Sequence, residues 1–129
     1  MVEGLESDST ILVADDEPIN RALIQRRLER AGYRVITAQN GREAVEKARA
    51  ERPDLVILDV MMPVMDGLAF IQAVRARREY DGLRIMMVTT EAEQAQVLRA
   101  LEVGANEYLM KPFTREVIVD KLRMLAAAA

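Results

Sequence analysis

The chain has 129 residues, which suits one domain and is too few for two of ordinary size. Half of the residues are hydrophobic and 30% are charged, a balance that argues against a disordered chain. The absence of cysteine and histidine excludes disulfides, thiol catalysis, imidazole bases and the usual zinc sites, and the net charge of −3 gives no reason to expect nucleic-acid binding.

The chain carries no sign of membrane insertion or export. No apolar run approaches the roughly 18–20 residues that a membrane span needs. The first residues include acids where a secretory signal has basic residues, so we expect a cytoplasmic protein that does not engage a membrane. Residues 1–9 are predicted to be a polar tail, residues 10–125 a single domain, and residues 126–129 an alanine tail.

Five short apolar runs predict five β-strands. In chain order they are Ile11–Ala14, Val35–Thr37, Leu55–Leu58, Ile85–Val88 and Tyr108–Met110. The first, third and fourth runs are apolar throughout, which is typical of strands that are covered on both faces.

Segments with helical spacing alternate with these runs. Their predicted buried faces are Ile24, Leu28 and Ala31 in the first helix, Ala44, Val45 and Ala48 in the second, Val97, Leu98 and Leu101 in the fourth, and Ile118, Leu122 and Leu125 in the last. The residues predicted to start or end helices are Pro18, Asn40 and Asp66 at starts, and Gly32, Pro53 and Gly104 at ends.

This alternation predicts an α/β fold, a doubly wound parallel sheet with helices on both faces. Right-handed crossovers and a topological switch point then place any active site at the carboxyl ends of the strands.

Polar residues follow four of the predicted strands at those ends. They are Asp15 and Asp16 after the first, Asp59 after the third, Thr89 and Thr90 after the fourth, and Lys111 with Pro112 after the fifth. Three carboxylates brought together repel by roughly 2–4 kcal/mol per pair at an effective dielectric near 20. Lys111 supplies one positive charge, and Mg²⁺, which prefers oxygen ligands, is the natural further partner. A single acid could be a helix cap, but the joint pattern on four strands indicates function.

These residues resemble the receiver domain of two-component response regulators, the CheY-like superfamily. The segments that carry the resemblance are LVADDE, LDVMMPVMDG, MVTTEAE and YLMKPF, within a match from about Thr10 to Leu125. The resemblance implies the flavodoxin-like (βα)5 fold with five strands in the order 2-1-3-4-5.

The resemblance also implies roles for the acidic residues and the lysine. Asp59 would be the phosphoacceptor, taking a phosphoryl group from a histidine of a sensor kinase or histidine phosphotransfer protein. Asp16 and Asp59 would bind Mg²⁺ together with the backbone carbonyl of Met61, while Asp15 would act largely through water. Lys111 would pair with the phosphoryl oxygens.

Further roles follow for the loops and for the output face. The hydroxyl of Thr89 would hydrogen-bond the phosphoryl group, which the backbone of Thr90 and Val60 would also contact. Thr90 departs from the alanine that is common in the family. Thr89 and Tyr108 would form the switch, and an unidentified output protein would bind helix four, strand five and helix five. The Lys111–Pro112 bond is expected to be cis.

Several alternatives differ in the class of protein. The stretch around MVTTEAE and YLMKPF favours a stand-alone chemotaxis-type regulator over a receiver cut from a longer one. The chain would then be no enzyme beyond catalysing its own phosphorylation and dephosphorylation. A Mg²⁺-dependent phosphatase of the haloacid dehalogenase type would need an acid where Met61 stands. A flavodoxin would bind FMN phosphate, which the acids Asp15, Asp16 and Glu17 would repel, and a degenerate receiver would lack the intact acidic site.

Overall fold

A computed structural model of the protein describes residues 9–62 and 64–127. The structure contains one five-stranded parallel sheet in which the strands, numbered along the chain, lie in the order 2-1-3-4-5, which confirms the predicted fold and strand order. The strands are β1 (Thr10–Ala14), β2 (Arg34–Ala38), β3 (Leu55–Asp59), β4 (Arg84–Thr89) and β5 (Glu107–Met110). The helices between and after them are α1 (Pro18–Arg30), α2 (Gly41–Glu51), α3 (Gly67–Arg75), α4 (Gln94–Val103) and α5 (Arg115–Ala127).

The register of the sheet brings the ends of the central strands to one level. Ala14 of β1 lies beside Leu58 of β3, so the residues that follow them, Asp15 and Asp59, emerge next to each other. Thr89 at the end of β4 lies beside Met110, the last residue of β5. The predicted convergence of polar residues at the carboxyl edge is therefore a direct consequence of the strand pairing.

Alternating residues of the central strands face two separate cores, as the side-chain period of a strand requires. Helices α2, α3 and α4 cover one face, with a core that includes Leu12, Val56, Leu58, Met87, Ala44, Ala48, Phe70, Ile71 and Ala100. Helices α1 and α5 cover the other, with a core that includes Ile11, Val13, Ile57, Val88, Ile24, Leu28, Ile118 and Leu122. Helices thus pack on both faces of the sheet, and this packing fixes the position of its carboxyl edge.

The predicted buried face of α4 is wrong in two of its three residues. Val97 is buried, but Leu98 is 64% exposed and Leu101 is 37% exposed, while Ala100 is fully buried. The helix packs against the core through Ala100, and in this orientation Leu98 and Leu101 face outward. Periodicity alone does not distinguish a leucine stripe that faces the core from one that faces a partner.

The predicted helix starts are confirmed by their hydrogen bonds. Pro18 opens α1. The side chain of Asn40 accepts from the N–H of Glu43 at 2.8 Å, and that of Asp66 accepts from the N–H of Ala69 at 2.9 Å. These side chains satisfy backbone donors that have no partner inside the helix.

The helix ends use positive φ angles at the predicted glycines and at one residue that was not predicted. Gly32 has φ 99° and Gly104 has φ 126°. Arg52 also adopts the left-handed conformation, with φ 47°, between the end of α2 and Pro53. Its N–H donates to the carbonyl of Ala48 and so closes the helix.

The predicted domain limits fall close to the edges of the described segment. Most of the predicted amino-terminal tail lies outside the described residues, but Ser9 is buried, and its carbonyl accepts from the N–H of Arg34 at 3.1 Å. Helix α5 continues to Ala127, two residues past the predicted domain limit, and residues 128–129 lie outside the described part. Among the described helices, none has the length and hydropathy that crossing a membrane requires.

One arginine ties together the loops at the end of the sheet opposite the carboxyl edge. Arg75, at the end of α3, donates to the carbonyls of Gly104, Tyr80 and Leu83 at 3.1, 2.6 and 2.6 Å. It also donates to the side chain of Asn106 at 3.1 Å. Three backbone acceptors from two loops, the one between α3 and β4 and the one between α4 and β5, thus depend on one guanidinium.

Replacing Arg75 with methionine should lower the free energy of unfolding by about 2–4 kcal/mol, because the chain length is kept while several carbonyls lose their donor. Urea denaturation monitored by circular dichroism measures this. The matched control is Arg78→Met on the exposed turn nearby, which should change stability by less than about 0.5 kcal/mol. Equal losses in the two variants would contradict a special role for Arg75.

Candidate functional site

Three carboxylates meet at the carboxyl edge of the sheet. One oxygen from each of Asp15, Asp16 and Asp59 can be chosen so that the three lie within 4.8 Å of one another. Asp15 and Asp59 are buried, whereas Asp16 is exposed. Carboxylate oxygens with an open side toward solvent are the ligands that Mg²⁺ prefers, so the cluster could hold such an ion.

Asp15 shows most clearly that the cluster is suited to a cation. Its Oδ1 accepts from the N–H of Glu17 at 2.9 Å, but its buried Oδ2 has no hydrogen-bond partner within the described chain. Burial raises the pKa of Asp15 to about 6, and the negative charge of Asp59 adds to the effect. A buried, partnerless carboxylate oxygen is costly, and a bound cation would satisfy it.

Asp59 lies between a cation and a backbone donor. Its Oδ2 is 3.4 Å from Nζ of Lys111, and its Oδ1 accepts from the N–H of Met61 at 3.1 Å. Burial raises the pKa of Asp59, although the Met61 hydrogen bond and the Lys111 charge oppose the rise. The peptide bond between Lys111 and Pro112 is cis, as the family resemblance implied.

The end of β4 adds a chain of hydrogen bonds beside these groups. Thr89 is fully buried, and its hydroxyl donates to the carbonyl of Thr90 at 3.2 Å. Both the N–H and the hydroxyl of Thr90 donate to Oε1 of Glu93 at 2.9 Å. Sequence reasoning did not single out Glu93 as a site residue, although the Thr-x-x-Glu spacing of a capping box was visible.

Two further supporting residues were not predicted. The carboxylate of Glu17 caps α1 by accepting from the N–H groups of Ile19 and Asn20 at 3.2 and 2.7 Å. The guanidinium of Arg21 donates to the carbonyl of Asp15 at 2.7 Å. Together they fix the loop that carries the acid pair, in a way that depends on the folded backbone.

Gly67 allows close packing beneath Asp59. A Cβ atom at this position would lie 2.9 Å from the carbonyl oxygen of Asp59 and 3.1 Å from the Cα of Val60. A side chain here would therefore push on the strand end that presents the carboxylate.

Two other predicted site residues, Val60 and Tyr108, do not point donors at the carboxylates. The N–H of Val60 already donates to the carbonyl of Val88 at 3.2 Å, whereas the neighbouring N–H of Met61 faces the Asp59 carboxylate. Tyr108 is apart from the carboxylates on the edge strand β5. The residue is 36% exposed, and Nζ of Lys121 lies 5.0 Å from the centroid of its ring.

A cavity of about 460 Å³ opens beside the site, between α1 and the loop after β5. Thr90 and Lys111 are among the residues that line it, and Leu23, Ile24 and Phe113 contribute apolar side chains.

Comparison with known sequences identifies a single family. The family model described as response regulator receiver domain matches residues 11–123. The transcriptional regulatory protein PhoP for alkaline phosphatase synthesis of Bacillus subtilis is 45% identical over 108 residues, which cover 83% of this chain and 44% of that protein. Chemotaxis protein CheY1 of Helicobacter pylori is 40% identical over 117 residues, 89% of this chain and 94% of that protein. The chain thus spans about half the length of the transcriptional regulators that it matches.

Comparison with solved structures agrees. The receiver domain of the sensor histidine kinase PA1611 from Pseudomonas aeruginosa superposes with a TM-score of 0.85 at 32% identity, covering 92% of this chain and 98% of that one. That structure was described with a magnesium ion coordinated in its active-site cleft.

Replacing Asp15 with asparagine should stabilise the protein in EDTA at pH 7.5 by about 1–2 kcal/mol, because it removes one buried charge from the cluster. The folded pKa of Asp15 is above its unfolded value, so this carboxyl destabilises the fold as the pH rises through about 6. The gain should therefore shrink at pH 5, where wild-type Asp15 is protonated. Urea titrations at the two pH values measure it, with the exposed Asp120→Asn as the matched control.

A less stable Asp15→Asn variant at pH 7.5 would contradict this account. It would mean that the Asp15 charge is already compensated within the fold without a cation.

Proposed function

The chain belongs to the response regulator receiver domain family, and from that premise we propose that it is a phosphorylation-dependent signalling switch in which Asp59 is the phosphoacceptor. The observation that carries the proposal is the placement of Asp59 between Lys111 Nζ at 3.4 Å and two further carboxylates. Receiver domains are signalling domains rather than enzymes that turn over a separate substrate. We propose that this one catalyses only its own phosphorylation and dephosphorylation.

The phosphoryl donor would be a phosphohistidine of a sensor kinase or of a histidine phosphotransfer protein. An oxygen of Asp59 attacks the phosphorus and forms the new P–O bond. The bond between phosphorus and the partner's imidazole nitrogen breaks, and its electron pair returns to the imidazole. Lys111 is placed to pair with the phosphoryl oxygens as negative charge builds up on them.

Asp15, Asp16 and Asp59 would hold Mg²⁺, together with the backbone carbonyl of Met61. The buried Oδ2 of Asp15 supports this assignment, because it has no hydrogen-bond partner in the described chain and a cation would satisfy it. When bound, the ion neutralises negative charge on the carboxylates and on the phosphoryl oxygens. The magnesium ion described in the PA1611 receiver domain is the corresponding observation in a relative.

Backbone and hydroxyl donors would complete the phosphoryl site. Thr89 can turn its hydroxyl from the Thr90 carbonyl toward the phosphoryl group. We also propose that the N–H of Thr90 donates to it. Because the N–H of Val60 is engaged with Val88, the Met61 N–H is the better-placed donor on the β3 side, and Val60 would contribute contact only.

The output face would consist of α4, β5 and α5. Leu98 and Leu101 are exposed there, and with Tyr108 they line a shallow pocket of about 220 Å³. Reorientation of Thr89 toward a phosphoryl group would free space that Tyr108 could enter. Lys121, which contacts both the Tyr108 ring and Glu107, would hold the outward position until then.

We propose that the chain acts in the cytoplasm in a chemotaxis-type role, because its similarity extends over 94% of CheY1. A receiver that belongs to a longer regulator is the alternative, supported by the similarity to PhoP. A haloacid dehalogenase-type phosphatase is not favoured, since Met61 provides no general acid. A flavodoxin is not favoured either, because Glu17 already occupies the N–H groups at the start of α1.

Incubation with acetyl phosphate and Mg²⁺ should add one phosphoryl group to the wild-type protein, because Asp59 is the carboxylate held beside Lys111. The Asp59→Asn variant should add none, and EDTA should prevent labelling of the wild type. Intact-protein mass spectrometry measures the added group, and Asp54→Asn, at the opposite end of β3, is the control that should label normally. Stoichiometric labelling of Asp59→Asn at another residue would overturn the assignment.

Replacing Thr89 with alanine should leave labelling at Asp59 intact while reducing the response of Tyr108 by about 10–60%, because the variant lacks one hydrogen bond of the phosphorylated state. A shift from 1:99 to 99:1 needs about 5.5 kcal/mol, of which one charge-assisted hydrogen bond supplies about 1.5–3 kcal/mol. The readout is ¹⁹F NMR of fluorotyrosine-labelled protein with and without beryllofluoride and Mg²⁺. Tyr33 and Tyr80 are internal controls. A full Tyr108 shift in Thr89→Ala would show that Tyr108 responds independently of Thr89.

A further inference from the structure

One glutamate occupies both donors of Thr90. The Oε1 atom of Glu93 accepts from the backbone N–H and from the hydroxyl of Thr90, at 2.9 Å in each case. The N–H of Glu93 donates back to the Thr90 carbonyl at 3.0 Å, and that carbonyl also accepts from the hydroxyl of Thr89. These contacts form a capping box over the 3-10 turn Glu91–Glu93, which leads directly into α4.

The same glutamate lies close enough to the carboxylate site to influence it. Thr90 and Lys111 line one cavity, and Lys111 contacts Asp59. The pKa of Asp59 is raised chiefly by burial, and the negative charge of Glu93 adds to the rise. Glu93 therefore acts on the Asp59 carboxylate across the loop as well as on Thr90.

A phosphoryl group on Asp59 would compete with Glu93 for the N–H of Thr90. It would bring a charge of about −1.5 to −2 and three strong acceptor oxygens to the end of β4. The N–H of Thr90 can donate to one of these oxygens only after its hydrogen bond to Glu93 breaks. Because the two groups are both anions, repulsion between them adds to the competition.

We propose that Glu93 is a positioning residue that competes with the phosphoryl group. Its carboxylate holds the Thr90 donors in the unphosphorylated chain and is displaced from them when Asp59 is phosphorylated. The inference rests on the proposed function, since it concerns the same phosphoryl site. Displacement removes the cap from the turn before α4, and this loosens the first turn of the helix that presents Leu98 and Leu101.

The competition predicts that removal of the Glu93 charge speeds phosphorylation. In Glu93→Gln the amide oxygen can still cap Thr90, so the fold is kept while the charge is lost. Labelling by acetyl phosphate at low ionic strength with saturating Mg²⁺ should be about three- to tenfold faster than in the wild type. Glu93→Ala, which also loses the acceptor, should be at least as fast.

The matched control is Glu102→Gln, which removes the same charge from the other end of α4. Its labelling rate should stay within twofold of the wild type. Equal acceleration in Glu102→Gln and Glu93→Gln would reduce the effect to net charge and overturn the proposal. An unchanged or slower rate in Glu93→Gln would overturn it as well.

Hydrogen–deuterium exchange over residues 90–96 distinguishes displacement from a purely electrostatic effect. In the wild type, exchange there should increase when Asp59 is phosphorylated. In Glu93→Ala it should be raised already without phosphodonor and change little afterwards. A wild-type exchange rate that phosphorylation does not alter, with the phosphoryl group verified on Asp59, would contradict displacement.

Failure of the two proposals can be told apart. If the wild type takes up no phosphoryl group at Asp59, the proposed function fails and the competition fails with it. If Asp59 is labelled but the Glu93 variants behave like the wild type in rate and exchange, only the role of Glu93 is rejected.

Discussion

The concentration of negative charge at the carboxyl edge is the constraint on which the site depends. Strand pairing places Ala14 beside Leu58, and the two residues that follow, Asp15 and Asp59, are buried next to each other as a result. At an effective dielectric near 20, each carboxylate pair repels by roughly 2–4 kcal/mol. Lys111 offsets part of this repulsion, and a cation bound by the three carboxylates would offset more of it.

The fold withstands the repulsion among the carboxylates because the sheet beneath them is tightly packed. Fully buried residues from both helical layers pack against the central strands, so the edge cannot relax by moving its strands apart. The absence of a side chain at Gly67 lets α3 pack directly under Asp59. Any rearrangement on phosphorylation would therefore be expected in the loops after β3, β4 and β5, where side-chain hydrogen bonds help to hold the backbone.

The loop after β4 connects the carboxylate site with the proposed output face that α4, β5 and α5 form. Thr89, Thr90 and Glu93 form one chain of hydrogen bonds from the buried site to the start of α4. Beyond it, Leu98 and Leu101 are exposed beside Tyr108. A rearrangement of donors at the site would thus reach the surface that Leu98, Leu101 and Tyr108 form, through hydrogen bonds that lie outside the two cores.

The sequence by itself determined the fold class, the five strands to within a residue or two, the helix starts at Asn40 and Asp66, and the convergence of Asp15, Asp16, Asp59 and Lys111. These properties follow from local patterns: apolar runs, capping residues, and the rule that parallel strands end at one edge. Only the tertiary structure decided which side of α4 is buried, because Leu98 and Leu101 have the same spacing as core residues. The contact between Glu93 and Thr90 does have a sequence signal, the Thr-x-x-Glu spacing of a capping box. The tertiary structure also decided that the Val60 N–H belongs to the sheet and that Arg75 joins two loops. Each of these depends on the position of a backbone carbonyl or N–H in the folded chain, which no spacing in the sequence specifies.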